Sequence, residues 1–266
     1  MTIMDISPWR LAMVYLLLAV PLGIIVWQRI PMLGRTLIAV ARMTLQLLFV
    51  GFYLQFIFDL NNPRVTGAWV LVMIAVADVS IVRGSNLLLK RLAGGLFLAL
   101  LTGTAVPLMV FVFLLLEGQA ALHAQYVIPI CGMILGNCLR ADIIGIRTFY
   151  ESLKKGEKVY HLALAQGASM KEALSPFIRD ACQAALAPTV ATISTIGLVS
   201  LPGMMTGVIL GGGNPMTAIK YQIAIMIAIF TGTALTVILA IHLTAINNFT
   251  AGGILDRGLF QIGGRR

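Results

Sequence analysis

The stretch AIKYQIAIMIAIFTGTALTVILAIHLTAI, residues 218–246, decides the fold class. It holds one charged side chain, Lys220, close to its start. A helix crossing a bilayer needs about 20 predominantly apolar residues. This run exceeds that, so it predicts a spanning helix long enough to tilt or to protrude.

Six further runs of the same kind lie upstream, at roughly Leu11–Trp27, Thr36–Phe58, Thr66–Val82, Ala93–Leu116, Gln125–Ile144 and Ala187–Leu210. The prediction is an all-α, polytopic bundle of about seven spans. Composition agrees. The chain is 59% hydrophobic and 11% charged, with a mean hydropathy of +0.95. Soluble domains carry about 25% charged residues, so membrane lipid must cover much of this surface. Residues 1–266 read as a single membrane domain. The first run lacks a basic leader, since Asp5 precedes it, so it is read as a mature helix and not as a signal peptide.

The net charge of +9 does not point to nucleic acid. The Lys and Arg residues sit in gaps between apolar runs and form no solvated face. Alternate gaps hold Arg29 and Arg35; Arg83, Lys90 and Arg91; a basic stretch from Arg140 to Arg179; and Arg257, Arg265 and Arg266. These are 15 of the 19 basic residues. The opposite gaps hold Arg10 and Arg64 with Asp5, Asp59 and Glu117. The positive-inside rule then predicts an external N-terminus and a cytoplasmic C-terminus.

Several chemistries are missing. There is no G-x-x-x-x-G-K-[ST] phosphate loop, so this chain does not bind ATP in that way. No H-E-x-x-H and no G-x-S-x-G elbow occur. His123, His161 and His242 are far apart in the sequence, and three cysteines make no disulfide framework. An enzyme is not indicated, and no cofactor is.

The longest internal gap, about 145–186, is the predicted cytoplasmic segment. Ala163-Leu-Ala165 can continue a helix, and Gly167 can end it in a left-handed conformation. Ser169 with Glu172 forms a capping box for a second, short helix. Pro176 ends or kinks that helix. A helix, a glycine break and a second helix would form a knob suited to a groove on a partner; packing on its own bundle is the other reading. The portion Ala165-Gln-Gly-Ala-Ser-Met-Lys-Glu-Ala173 resembles the loop through which importer-type ABC permeases contact their ATPases. His161 stands where that pattern carries a glutamate.

In the sixth run, Thr195-Ile-Gly-Leu-Val-Ser-Leu-Pro-Gly-Met-Met-Thr-Gly207, Pro202 is expected to kink the helix. Gly203 and Gly207, like Gly132 and Gly136 on the fifth run, are spaced for close helix approach. This stretch, followed by Pro215 and Ala218-Ile-Lys-Tyr-Gln-Ile223, resembles the FetB-type permease family. So do Val127-Ile-Pro-Ile-Cys-Gly-Met-Ile-Leu-Gly-Asn137, Arg42-Met-Thr-Leu-Gln-Leu-Leu-Phe-Val-Gly51, Gly167-Ala-Ser169 and Ile178-Arg-Asp180. The motifs run in order from the second run to the seventh. The resemblance implies a permease of the bacterial cytoplasmic membrane that exports iron with a separate ATP-binding subunit. Plant relatives are linked to aluminium tolerance, and sugar-nucleotide transport is suggested for some. Export, and not import, rests on this resemblance.

Under it, Ala165, Gly167, Ala168 and Ser169 would couple the chain to the ATPase, and two permease copies would enclose the pathway. Pathway candidates are Pro202, Gly203, Met204, Met205, Gly207, Asn137, Arg42 and Gln46. Arg42 and Gln46 lie four apart, on one helix face. Polar residues inside spans usually face an interior, so a lined pathway and helix–helix hydrogen bonding are both open. Met204, Met205, Cys131 and Met133 could bind a soft metal ion or serve as core packing. Asp78 is expected to pair with Arg83 or Arg42, and the spans otherwise offer hardly any carboxylate. A secondary transporter or channel without an ATPase is the competing class, with a receptor behind it.

Overall fold

The computed structural model describes residues 6–85, 89–115 and 123–249. The C-terminal arginines and Glu117, used above for orientation, lie outside the described residues, as do Asp5 and the side chains of Lys90 and Arg91.

The described residues are mostly helical. Helix α1 (Pro8–Val14) continues through a 3-10 turn at Tyr15–Leu18 into α2 (Ala19–Trp27). Then come α3 (Leu33–Leu60), α4 (Pro63–Ser85), α5 (Leu89–Leu115) and α6 (Ala124–Lys155). Next are α7 (Glu157–Ala165), α8 (Met170–Thr195), α9 (Gly203–Leu210) and α10 (Pro215–Asn248). Among the described residues, six segments are long and apolar enough to cross a membrane: Pro8–Trp27, Leu33–Leu60, Pro63–Ser85, Gly94–Leu115, Ala124–Lys155 and Pro215–Ala245. A helical membrane bundle is what the hydrophobic runs predict.

The core is built by α4, α5, α6, α8 and α10. Helix α5 packs most closely on α10. A Cβ on Gly103 would lie 2.7 Å from Thr236 Cβ, and one on Gly232 would lie 2.7 Å from the Gly103 carbonyl. Glycine is required at this crossing because the two backbones touch. The predicted close approaches at Gly203, Gly207 and Gly136 do not occur, since all three have open space where a Cβ would stand.

Helices α1, α2 and α3 lie outside this core, with almost all side chains exposed. The far end of α3 is anchored by Ile57, packed with Ala124 and Ile128 of α6, and by Trp69 against Tyr53, with ring centroids 4.3 Å apart.

Two expectations need correction. The fifth run does not stop near Ile144; α6 continues to Lys155, so 145–186 is mostly helix. The run Ala187–Leu210 is not one kinked span. Helix α8 ends at Thr195, and a non-helical turn follows to Pro202, which caps α9 without joining it to α8. Pro176 and Pro188 meanwhile sit inside α8 without ending it. The difference is physical: Gly197 adopts φ +85°, a left-handed value that breaks the helix before Pro202 is reached.

Candidate functional site

The turn between α8 and α9 is a compact knob. Gly197 N donates to the Ser200 carbonyl at 2.9 Å, and Val199 N to the Thr195 carbonyl at 3.0 Å. Leu198 and Val199 project from it, 92% and 82% exposed. The turn lies deep along the bundle, because it shares a cavity with Met133 and Asn137 of α6. Those residues sit about 14–20 Å below the first residue of α6 at 1.5 Å per residue. Irregular backbone facing lipid does not occur in the hydrocarbon layer; it lines a cavity or meets protein.

That cavity, of about 350 Å³, is walled by α6, α8, α9 and α10. Its polar lining is Asn137, Arg140, Thr189, Thr192, Ser200 and Gln222. Asn137 Nδ2 donates to the Met133 carbonyl at 2.8 Å. Arg140 donates from Nε to the Gly136 carbonyl at 3.3 Å and from Nη2 to Asn137 Oδ1 at 3.5 Å, and it forms no ion pair among the described residues. No carboxylate lines the cavity.

The structure brings together Asn137, Pro202, Gly203, Met204 and Met133 here. It does not bring the other candidates with them. Met205 faces a second, apolar cavity beyond Pro202, with Ile219, Ile223 and Phe230. Cys131 is fully buried in the core, as is Cys138. Arg42 and Gln46 share a concavity on α3 with Arg35 and Ile38, as their spacing predicts, but away from the cavity. Gly207 is not among the lining residues. Met204, Met205, Cys131 and Met133 therefore do not converge on one point. Among the described residues no group of three His, Cys, Asp or Glu side chains is placed to hold a metal ion.

Two charged residues of α6 escaped the sequence reading. Arg140 belongs in sequence to the basic stretch after the fifth run, yet it stands in the cavity wall. Asp142 is completely buried, and its Oδ2 accepts a 2.8 Å hydrogen bond from Thr236 Oγ1 of α10. Its Oδ1 has no hydrogen-bond partner. Charges in the last turns of an apolar run are the signal that would have found both, since ionisable groups at such depth face an interior. Asp78 is also buried, with Oδ1 unpartnered, and it pairs with neither Arg83 nor Arg42.

The predicted coupling segment folds as its residues require. At the end of α7, Gly167 adopts φ +94°. Its N–H donates to the Leu164 carbonyl and the Ala168 N–H to the Ala163 carbonyl, each at 3.0 Å. This is a Schellman termination. Ser169 then caps α8: Glu172 N donates to Ser169 Oγ at 3.3 Å, and Ser169 N to Glu172 Oε2 at 2.8 Å. The Ser169 side chain and backbone together hold the Glu172 carboxyl below its usual range. Ala165 closes α7 and Ala168 links the two helices. Val159 and Leu162 of α7 are exposed, while Tyr160 is buried against Phe249 with centroids 6.0 Å apart. The corner before α7 is fixed by Gly156, where a Cβ would lie 2.7 Å from the Phe177 ring.

Six apolar helices among the described residues, a broken one beside them and a polar cavity at the break define a multi-pass helical membrane protein. The chain belongs to the family described as "Uncharacterised protein family (UPF0014)", whose model matches residues 8–249. Among its relatives is "Probable iron export permease protein FetB" of Escherichia coli, 34% identical over 90% of this chain and 91% of that one. "UPF0014 membrane protein slr1647" of Synechocystis is 33% identical over 84% and 86%. "Protein ALUMINUM SENSITIVE 3" of Arabidopsis thaliana is 33% identical over 81% and 77%. No solved structure gives a significant match.

Proposed function

We propose that this chain is the permease subunit of an ATP-driven ABC transporter that exports iron across a bacterial cytoplasmic membrane. The ATP-binding subunit is a separate chain, and two permease copies assemble with it. The single observation carrying this reading is the polar cavity at the α8–α9 break, set in a membrane bundle. The printed name of the Escherichia coli relative supports the choice of cargo.

The exposed turn at Leu198 and Val199 and the uncovered Arg140 face outward from one copy. Neither suits lipid, and a second copy apposed there would close the pathway. The N-terminus lies outside and the C-terminus in the cytoplasm, as the charge asymmetry requires. Residues from about 145 to 186 then project toward the ATPase. Ala165, Gly167, Ala168 and Ser169 form the corner that transmits its motion, and Val159 and Leu162 give that corner an apolar face. Within the pathway Asn137, Pro202, Gly203 and Met204 meet the cargo.

A transporter without an ATPase would be expected to carry paired broken helices. The described residues hold one such break in an apolar stretch, which favours the ATP-driven reading. Co-expression with a candidate ATPase, affinity capture of the pair and ATP-dependent iron movement in proteoliposomes test the proposal. Failure of capture together with ATP-independent transport would replace it with the secondary-transporter class.

A further inference from the structure

Helix α3 stands away from the core over most of its length, and we infer that the wedge between them holds one anionic phospholipid of the surrounding membrane. An acyl chain lies between α3 and the core, and the phosphate rests on Arg35 and Arg42. The inference goes beyond the permease reading and does not depend on it.

The wedge opens from a pinned end. Ile57 packs with Ala124 and Ile128 of α6, and Tyr53 stacks on Trp69 of α4. Away from this anchor, α3 and the core separate around a cavity of about 970 Å³. Phe49 and Tyr53 of α3, Trp69 and Met73 of α4, and Gly132 and Gly136 of α6 are among its walls. Its volume stands at the upper end of small-ligand sites, roughly 300–1,000 Å³, and its apolar walls suit hydrocarbon.

The mouth of the wedge carries charge. Arg35, Arg42 and Gln46 line an adjoining concavity, and Gln46 and Leu47 belong to both walls. Arg35 and Arg42 lie two helical turns apart on one stripe of α3, about 10 Å along the axis. Both are exposed, and among the described residues neither makes an ion pair or a side-chain hydrogen bond. An arginine in an apolar span is costly unless it is paired or reaches the interface. Helix α3 has 28 residues, so it is about 42 Å long, against a hydrocarbon layer of about 30 Å. With the Leu60 end at one membrane face, the other face falls near Arg42, and Arg35 stands among the headgroups. The two side chains can then meet one phosphate, which guanidinium groups bind with paired, charge-assisted hydrogen bonds. By the orientation proposed above, this is the cytoplasmic leaflet, whose anionic lipids attract such residues. From Arg42 to Tyr53 is about 16 Å along the helix, a length that one acyl chain covers.

A second copy of this chain is the other occupant such a face could take. It would bring the same two guanidinium groups. The carboxylates of the apolar spans, Asp78 and Asp142, are buried and cannot answer them. Charge complementarity therefore selects the anionic lipid.

The test uses the full-length protein in phosphatidylcholine vesicles, with Trp9→Phe and Trp27→Phe leaving Trp69 as the one tryptophan. Phosphatidylglycerol or phosphatidylcholine, brominated near the methyl end of its chains, is included at equal low mole fraction, and quenching of Trp69 is read. Phosphatidylglycerol should quench as though enriched about tenfold, the scale of two arginines at an anionic surface. Arg35→Gln combined with Arg42→Gln should bring the two lipids to parity, while the paired Lys replacements should keep most of the preference. Gly136→Leu, which fills the wedge from a position with open space at its Cβ, should reduce the phosphatidylglycerol signal with both arginines in place. Equal quenching by the two lipids in the parent protein, or a preference that survives the double Gln variant, overturns the inference. Quenching by neither lipid overturns it as well, and cross-linking of two copies through Gln46→Cys would then identify a second copy as the occupant. No cargo and no ATPase enter the measurement, so the permease reading stands or falls separately.

Discussion

Thr236 of α10 donates a 2.8 Å hydrogen bond to Oδ2 of Asp142 on α6, joining two core helices through a completely buried carboxyl group. The contact lies beside the tightest crossing in the bundle, since a Cβ on Gly103 of α5 would touch Thr236. A carboxyl at such a position is retained at a desolvation cost, so its replacement tells how much the bond between α6 and α10 is worth.

Asp142→Ala should lower the thermal midpoint of the detergent-solubilised protein. It leaves Thr236 without this acceptor and opens a gap, at a cost of about 1–3 kcal/mol. Asp142→Asn keeps the shape and an acceptor oxygen, so its loss should be clearly smaller. Equal losses in the two variants would show that the hydrogen bond is not what holds the position.

Gly232→Ala should destabilise strongly, because the added methyl meets a backbone carbonyl of α5 at 2.7 Å and neither backbone can yield. Overpacking of this kind costs about 1–3 kcal/mol. Gly136→Ala is the control, with open space at its Cβ, and should leave the midpoint unchanged or raised. Size-exclusion profiles before and after heating read both variants.

Gly167→Pro should insert into the membrane normally and uncouple transport from ATP hydrolysis. Proline fixes φ near −65°, whereas position 167 requires φ +94°. Proline also removes the N–H that donates to Leu164. Normal substrate-stimulated ATPase activity of the assembled variant would rule out a coupling role for this corner.

The Ser169–Glu172 capping box should be pH-sensitive in a defined direction. Hydrogen bonds from Ser169 lower the Glu172 pKa in the folded protein. Its contribution is therefore present above the usual carboxylate pKa and is lost as pH falls through the lowered folded value. A spin label at position 168 should gain mobility over that acidic range. Glu172→Gln should remove the pH dependence, and a label whose mobility does not respond to acid in the wild type contradicts the prediction.

Much of the bundle was legible in the order of the residues. Long apolar runs leave no other cover than lipid, and each becomes a helix because backbone groups in lipid must bond within the segment. The corner at 165–172 was equally legible, since Gly167, Ser169 and Glu172 act on neighbours within a few residues. The break at Ile196–Pro202 was misread as a kink. Proline was the visible signal, while Gly197, which makes the break, looks the same as any glycine in an apolar run.

The cavity and the buried carboxyl are of another kind. Asn137, Arg140, Pro202, Met204 and Gln222 lie on three separate stretches, and only the packing of α6, α9 and α10 makes them one wall. Met204 and Met205 are adjacent in the chain yet face different cavities, because successive helical residues point about 100° apart. Local sequence thus determines membrane embedding, helix lengths and caps, which depend on nearby residues and on the solvent. Which polar groups converge, and whether a carboxyl such as Asp142 meets Thr236, is decided by long-range packing that no local pattern encodes.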